Sequence, residues 1–255
     1  GKNIVLPEGE DKRVVEAASL VVKQGLARIT LLGNPEEIAK NNPGVDLDGV
    51  TIVNPVTDEK TATYAEMLFN LRAGKINKNL VNLIHANGGK AMGLCGIDGH
   101  LIEAKMLDEK LGFVGDITKI NIEPVENVLD MGYIPVISTV GCDNEGNVYN
   151  INADTAASEI AAALKAECLV SMTDICGILE DKDDESTLIQ KITVDEAPKY
   201  FEKGVISGGM IPKISGCIDA IKKGVKKAFV IDGRVHHSIL IEILTDEGIG
   251  TMLTK

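Results

Sequence analysis

Short apolar runs alternate along most of the chain with longer segments that have helical spacing. Apolar runs that end in Gly, Asn or Pro predict strands, and apolar residues three or four positions apart predict helices. The predicted strands are residues 3–6, 28–32, 50–53, 91–94, 134–138, 169–173 and 228–232. The predicted helices are residues 12–24, 36–40, 57–72, 77–87, 124–131, 155–166, 194–203 and 213–223. This alternation predicts an α/β fold with a mostly parallel sheet.

Some segments depart from the simple alternation. Residues 101–120 carry two apolar runs separated by glycines, which predicts a hairpin. Asp143-Asn-Glu-Gly146 is the turn signal of a second hairpin. Residues 237–244 fit a helix or a strand. A boundary between two lobes is expected near Lys165, where an Ala-rich helix would connect two sheets.

Composition limits the kind of protein and partner. Only 3% of the 255 residues are aromatic and none is Trp, so Val, Ile, Leu and Ala must form the core, as in parallel sheets covered by helices. The formal net charge is −12, and neither residues 1–75 nor 76–255 have the basic excess of a nucleic-acid-binding protein. A phosphate-bearing ligand would therefore need a few local cations and backbone N–H groups.

Membrane, metal and disulfide signals are weak in this sequence. No apolar run approaches the ~20 residues that span a bilayer, and no charged-then-apolar leader precedes Asn3, so we expect a cytoplasmic protein without a membrane partner. The five Cys are widely spaced and the four His lack metal-ligand spacing, which favours reduced thiols and no protein metal site. The acidic residues 180–185 could suggest a metal, but a solvated loop is the simpler interpretation.

Candidate chemistry concentrates in three polar segments of the second half. In Asn150-Ile-Asn-Ala-Asp154, alternation places Asn150, Asn152 and Asp154 on one side, where they could fix a carboxylate substrate and orient lysines. The alternative is a helix N-cap. Ser207-Gly208-Gly209 precedes Lys213, which lies near a helix start, so the glycine N–H groups and the lysine could bind phosphate. The alternative is a loop followed by a surface lysine. Thr173-Asp174 ends a predicted strand, and the strand ends of parallel sheets are where ligands bind. The alternative is a simple glycine turn without a ligand.

From about residue 75 to the C-terminus, these segments together resemble acetylglutamate kinase of the amino acid kinase family. Further motifs carry the resemblance: Gly88-Gly-Lys-Ala-Met-Gly93, Gly96-Ile-Asp-Gly99, Gly112-Phe-Val-Gly115, Gly132-Tyr-Ile-Pro135 and Thr245-Asp-Glu-Gly-Ile-Gly-Thr251. The resemblance implies a three-layer α/β sandwich with two lobes, a substrate and dimer lobe over residues 1–165 and a nucleotide lobe over 166–255. It also implies phosphorylation of the side-chain carboxylate of N-acetyl-L-glutamate in arginine biosynthesis, with ATP, with Mg²⁺ carried by ATP, and in a homodimer.

The resemblance also assigns roles to individual residues. Lys213 would stabilise the transferring phosphoryl group, and Asp154 would organise catalytic lysines. The implied substrate-binding residues are Asn150, Asn152 and Gly33. The implied nucleotide-binding residues are Thr173, Asp174, Ile175, Cys176, Gly177, Ile178, Leu179, Val205, Ile206, Ser207, Gly208, Gly209 and Met210.

The first third of the chain departs from that family's pattern. Pro7 stands where the family has a catalytic lysine, Gly33 is the glycine kept from a Gly-rich run, and Pro55 replaces an arginine. Residues 3–72 instead resemble the N-terminus of phosphate acetyltransferase, through Ile4-Val-Leu-Pro-Glu-Gly-Glu-Asp11, Leu31-Leu-Gly-Asn-Pro35 and Tyr64-Ala-Glu-Met-Leu. We therefore expect a chimera, with residues 75–165 completing the first lobe, and impaired transfer. A catalytically silent nucleotide-binding protein and, more remotely, a phosphate acetyltransferase are the alternatives.

Overall fold

The computed structural model describes residues 2–60, 63, 67, 74–245 and 248–255. Its first part is a parallel three-stranded sheet in the order β1-β2-β3, hereafter the N-terminal sheet. The elements are β1 (Lys2–Leu6), α1 (Lys12–Lys23), β2 (Ala27–Leu32), α2 (Pro35–Asn41) and β3 (Thr51–Val53). Both helices are capped at their N-termini. The Asp11 side chain before α1 accepts the N–H of Arg13, and the Asn34 side chain before α2 accepts the N–H of Glu36.

The middle of the chain forms two further sheets. β4 pairs in parallel with β7, and a mixed sheet has the order β6-β5-β8-β9. The elements are α3 (Asn77–Ala86), β4 (Ala91–Cys95), β5 (Ile102–Met106), β6 (Gly115–Ile120), α4 (Glu123–Asp130), β7 (Ile134–Ser138), β8 (Val140–Cys142) and β9 (Val148–Asn150). Both predicted hairpins are confirmed, because β5 pairs antiparallel with β6 and β8 with β9.

The last part of the chain is a four-stranded sheet in the order β10-β12-β13-β11, hereafter the C-terminal sheet. Its elements are α5 (Ala153–Ala163), β10 (Cys168–Thr173), β11 (Lys191–Thr193), α6 (Ala197–Glu202), α7 (Met210–Lys222), β12 (Lys227–Asp232), α8 (Ser238–Leu244) and β13 (Thr251–Thr254). α7 buries Ile214, Cys217 and Ile221, which recur at helical spacing and pack on the sheet. This packing forms the largest buried cluster among the described residues.

Most of the elements that the sequence predicts are present, and the expected mostly parallel α/β class is confirmed. Residues 237–244 resolve to a helix. The sequence missed β11 and β13, which have only three and four residues. Of the predicted helix over residues 57–72, Thr63 and Met67 are helical, and residues 57–60 are turns or lack regular structure. Residues 61–62, 64–66 and 68–72 lie outside the described residues.

None of the helices in the described ranges is long and apolar enough to cross a bilayer.

Candidate functional site

The first turn of α5 carries the candidate carboxylate. Asn152 is the N-cap of this helix, and its Oδ1 accepts the N–H of Thr155 at 3.0 Å. The helix therefore starts at Ala153, two residues earlier than its apolar spacing predicts. Asp154 lies in the first turn, where the helix dipole favours a negative charge. Asn152 thus takes the capping role that the sequence left open, with its side chain at the surface.

Lys213 of α7 and Asp154 form an ion pair across the two helices. Lys213 Nζ lies 2.6 Å from Asp154 Oδ1 and donates a second hydrogen bond, of 3.3 Å, to Ser171 Oγ in β10. The side chains are only 14% and 28% exposed, respectively, so water screens their charges less than it would at the surface. In the part of the chain that the structure describes, no second lysine or arginine bonds to Asp154.

A close crossing of α5 and α7 sets this distance. A Cβ atom at Gly216 would lie 2.5 Å from Ser158 Oγ and 3.6 Å from the Asp154 carbonyl oxygen, so any larger residue here would displace the Ser158 hydroxyl. Gly216 is one turn after Lys213, and Ser158 is one turn after Asp154. Gly216 therefore leaves room for Ser158 where the two helices that carry Lys213 and Asp154 meet.

A cavity of about 210 Å³ lies beside the ion pair. Its lining combines the first turns of α5 and α7 with β10. Cys217 also lines it and is 1% exposed, and this burial, reinforced by the charge of Asp154, raises the pKa of its thiol to about 12. Cys217 therefore lines the cavity as an uncharged thiol.

Asn150 ends β9, two residues before the cap of α5. Its backbone N–H donates to the Phe113 carbonyl at 2.8 Å, which ties it to the loop before β6. Its side-chain Oδ1 is buried and has no hydrogen-bond partner in the described structure. An unpaired buried acceptor is unfavourable, and a ligand that donates a hydrogen bond would relieve the cost.

The candidate nucleotide-binding residues from Thr173 to Leu179 run across the carboxyl end of the C-terminal sheet. Thr173 is the last residue of β10, opposite Asp232 of β12, and its hydroxyl donates to Asp174 at 3.3 Å. Gly177 has a φ of +145° and lies against Thr251, whose hydroxyl oxygen accepts the N–H of Ile178. The Ile178 side chain is fully buried, so this residue can offer a ligand only its backbone.

The second candidate nucleotide-binding segment, residues 205–210, joins the core to the start of α7. Ile206 is 2% exposed and its N–H donates to the Tyr200 carbonyl, whereas Ser207, Gly208 and Gly209 are at the surface. Gly208 has a φ of +55°, which turns the chain into the helix. α7 starts at Met210 without a side-chain cap or an acidic residue in its first turn, so its positive dipole end can accept an anion.

Asp232-Gly-Arg234 forms the end of β12 and the turn that follows it. In the structure the Arg234 guanidinium grips Asp232 with a bond of 2.7 Å from Nη2 and a bond of 3.0 Å from Nε. These hydrogen bonds lower the pKa of Asp232. The Gly233 N–H donates to the Thr173 carbonyl, so this turn supports the end of β10.

Gly33 is the candidate substrate-binding residue that does not contact the other candidates in the described structure. It follows β2 in the N-terminal sheet, where its N–H donates to the Val53 carbonyl, and a Cβ atom here would meet the Ile38 side chain. Among the described residues, the ion pair that joins this sheet to the rest is Lys110 with Glu37, at 4.0 Å. The described contacts of Gly33 do not include Asn150, Asp154 or Lys213.

The acidic loop at residues 180–185 uses its carboxylates to close turns. Asp181 accepts the N–H of Asp183, and Asp184 accepts the N–H and the hydroxyl of Ser186. Over the described ranges, no group of three or more His, Cys, Asp or Glu is arranged to hold a metal ion.

Comparisons with known proteins extend over the whole chain. Residues 12–232 match the amino acid kinase family. Acetylglutamate kinase of Brachyspira hyodysenteriae is 44% identical over 267 residues, covering 100% of this chain and 91% of the relative. Acetylglutamate kinase of Clostridioides difficile is 44% identical over 258 residues, covering 100% and 89%. The crystal structure of smu.665 from Streptococcus mutans UA159 has a TM-score of 0.64 at 25% identity, covering 99% of this chain and 96% of that one.

These comparisons give no support for a chimera or for a phosphate acetyltransferase segment. The family match begins inside α1, and both relatives align with the complete chain. A local cause explains one of the misleading motifs. In Leu31-Leu-Gly-Asn-Pro35, Asn34 caps α2 and Pro35 occupies its first turn, so the motif is a general helix start.

Proposed function

We propose that this chain, which belongs to the amino acid kinase family, transfers a phosphoryl group from ATP to the side-chain carboxylate of N-acetyl-L-glutamate, a step of arginine biosynthesis. The observation that carries the proposal is the ion pair of Lys213 and Asp154 beside a cavity, in a chain whose relatives named acetylglutamate kinase align over its full length.

The ion pair suits the chemistry of phosphoryl transfer. Negative charge spreads over the oxygens of the transferring group, so catalysis depends on positioning and on positive charge. Lys213 would supply that charge, and Asp154 would hold its ammonium group in place at 2.6 Å. Because both side chains are largely shielded from water, the attraction between Lys213 and a phosphoryl oxygen is stronger than at the surface.

We assign the nucleotide to the carboxyl end of the C-terminal sheet. The uncapped start of α7 and the exposed Ser207, Gly208 and Gly209 suit a phosphate chain, and residues 173–179 suit contacts through the backbone. Mg²⁺ binds mainly to substrate phosphates and water, so it would arrive with ATP and neutralise part of the phosphate charge.

Asn150 is the candidate that best suits the acetylated amino acid. Its buried Oδ1 has no donor within the described residues, and the acetamido N–H of N-acetyl-L-glutamate is such a donor. Asn152 contributes by capping α5 and so placing Asp154. Gly33 would join the substrate site only if the N-terminal sheet closes toward Asn150.

The proposal includes two lobes and a homodimer in the cytoplasm. Residues 166–255 contain the C-terminal sheet and would form the nucleotide lobe, with residues 1–165 as the substrate and dimer lobe. In α3 and just before it, Ile76, Leu80 and Leu83 are 48–59% exposed at helical spacing, an apolar face suited to a second copy. Gel filtration with light scattering would test the dimer.

A coupled ATP assay with and without N-acetyl-L-glutamate tests the reaction, with acetate as the control acceptor. We expect turnover that requires the acetylated amino acid. Thermal stabilisation by ATP without turnover would instead favour a silent nucleotide-binding protein, and absence of both would contradict the proposal.

A further inference from the structure

Lys213 is held from two sides, by two different parts of the fold. Its ammonium group donates to Asp154 of α5 and to Ser171 Oγ of β10, the latter at 3.3 Å. An ammonium group has three N–H donors and turns easily about its last bond. One acceptor fixes its distance but leaves this rotation free. Two acceptors on separate elements also fix the direction of the third N–H.

Ser171 is an unexpected residue at its position. It interrupts the apolar run Leu169-Val-Ser-Met172 inside β10, where β-branched and aromatic side chains are usual. Its hydroxyl oxygen accepts the Lys213 bond and lies in the lining of the 210 Å³ cavity. Within the described residues, its hydroxyl group has no other hydrogen-bond partner. Packing of the strand therefore gives no reason for a serine, whereas contact with Lys213 does.

We infer that Ser171 is a positioning residue for Lys213, which holds the ammonium group so that its third N–H points into the cavity. The inference deepens the proposed function and rests on it, since the cavity is where the transferring phosphoryl group would lie. A donor already aimed at developing charge is more effective than one that must first reorient. Loss of the Ser171 hydroxyl should therefore lower kcat and leave the KM for either substrate almost unchanged.

The test compares Ser171→Ala and Ser171→Thr with a matched control, Ser19→Ala. Ser19 is a buried serine of α1 that donates to the Asp46 carbonyl, far along the chain from the cavity. We expect Ser171→Ala to lower kcat by about three- to tenfold, and Ser171→Thr, which keeps the hydroxyl, to retain most activity. Ser19→Ala should lower Tm without changing kcat. Equal kcat in both Ser171 variants and the unmodified chain would overturn the inference, as would a loss that threonine does not restore.

A second readout does not require kinase activity. Limited acylation with an amine-reactive reagent, followed by peptide mass spectrometry, reports how firmly Lys213 is held. We expect Ser171→Ala to raise the labelling rate of Lys213 by about threefold and to leave Lys223, which is 50% exposed, unchanged. Unchanged Lys213 labelling would contradict the positioning role. If the unmodified chain has no turnover, the proposed function fails, and this labelling still decides whether Ser171 holds Lys213.

Discussion

Two strands with almost the same apolar pattern have opposite environments in this molecule. β12 in the C-terminal sheet lies between β10 and β13, and Val230 is 0% exposed. β1 in the N-terminal sheet is an edge strand, and Val5 is 58% exposed. A strand is buried when it has neighbours on both sides and helices over its faces, so hydrophobicity alone does not determine its place.

The candidate functional residues are also divided between these two sheets. Lys213, Asp154 and Ser171 meet on the side of the C-terminal sheet, whereas Gly33 remains in the N-terminal sheet. The better-packed region therefore holds the charged groups in one geometry. Rigid elements place reacting groups more accurately than loops do.

The largest expected effect concerns the division of chemistry between the two regions. Lys213→Met should lower kcat by about 10²–10³-fold, because it removes the charge that Asp154 holds at the cavity. Lys12→Met, which removes an exposed lysine paired with Glu16 in α1, should change kcat by less than about twofold. The coupled assay with ATP and N-acetyl-L-glutamate measures both. Equal losses in the two variants would show that the chemistry is not confined to the C-terminal part.

The next effect concerns the crossing of α5 and α7. Gly216→Ala should destabilise the fold by about 1–3 kcal/mol and lower kcat about tenfold, because its Cβ would lie 2.5 Å from Ser158 Oγ. Gly74→Ala is the control, since a Cβ there has no neighbour within 4 Å among the described residues. Urea unfolding and the coupled assay give the two quantities.

A double variant tests whether the clash is the cause. Ser158→Ala removes the obstructing oxygen, and the nearest remaining atoms would then be about 3.6 Å from the new Cβ. Combining Ser158→Ala with Gly216→Ala should therefore recover part of both losses. No recovery would mean that Gly216 acts in some other way.

A smaller effect sharpens the comparison of the two strands. Val230→Ala should lower the free energy of unfolding by about 2 kcal/mol, because it removes two buried methyl groups from the core. Val5→Ala, the same change at an exposed edge position, should cost less than about 0.5 kcal/mol. Urea denaturation measures both. Similar costs would indicate that β1 is covered in solution, for example by a second copy.

The smallest effect concerns pH and involves two carboxylates, Asp11 at the start of α1 and Asp143 in the turn between β8 and β9. Hydrogen bonds from the Asn147 side chain and the Tyr149 hydroxyl lower the pKa of Asp143 to about 2, and the Arg13 side chain lowers that of Asp11 to about 2. Both values lie below the ordinary 3.8, so each carboxylate adds stability above about pH 4 that is lost as pH falls toward 2. Asp143→Asn and Asp11→Asn should each flatten this part of the pH–stability curve.

Salt separates the two carboxylates. Asp11 pairs with a charged, exposed guanidinium, whereas Asp143 accepts from neutral groups. Added salt should therefore reduce the contribution of Asp11 and leave that of Asp143. Urea midpoints between pH 2 and 5, at low and high ionic strength, provide the measurement, and equal salt dependence would contradict this assignment.

Local signals in the sequence were reliable for features that a single helix, strand or turn forms by itself. The Asp143 turn lies where the sequence places it, whereas α5 and α7 start at Ala153 and Met210, two and three residues before their predicted starts. The strand β11 was missed because Lys191-Ile-Thr193 contains a single apolar residue, whereas the equally short β3 lies in an apolar run. Ser171 was overlooked, although a serine inside an apolar strand was a usable signal.

By itself the sequence determined the α/β class, most helices and both hairpins, and it identified Asp154 and Lys213 as candidates. Periodicity, capping and turn chemistry act within a few residues, so they can be read along the chain. Only the tertiary structure decided that these two residues, 59 positions apart, lie 2.6 Å from each other. It also decided that Val230 is buried and Val5 is not. These outcomes depend on which strands pair and how closely two helices cross, and such contacts join distant parts of the chain.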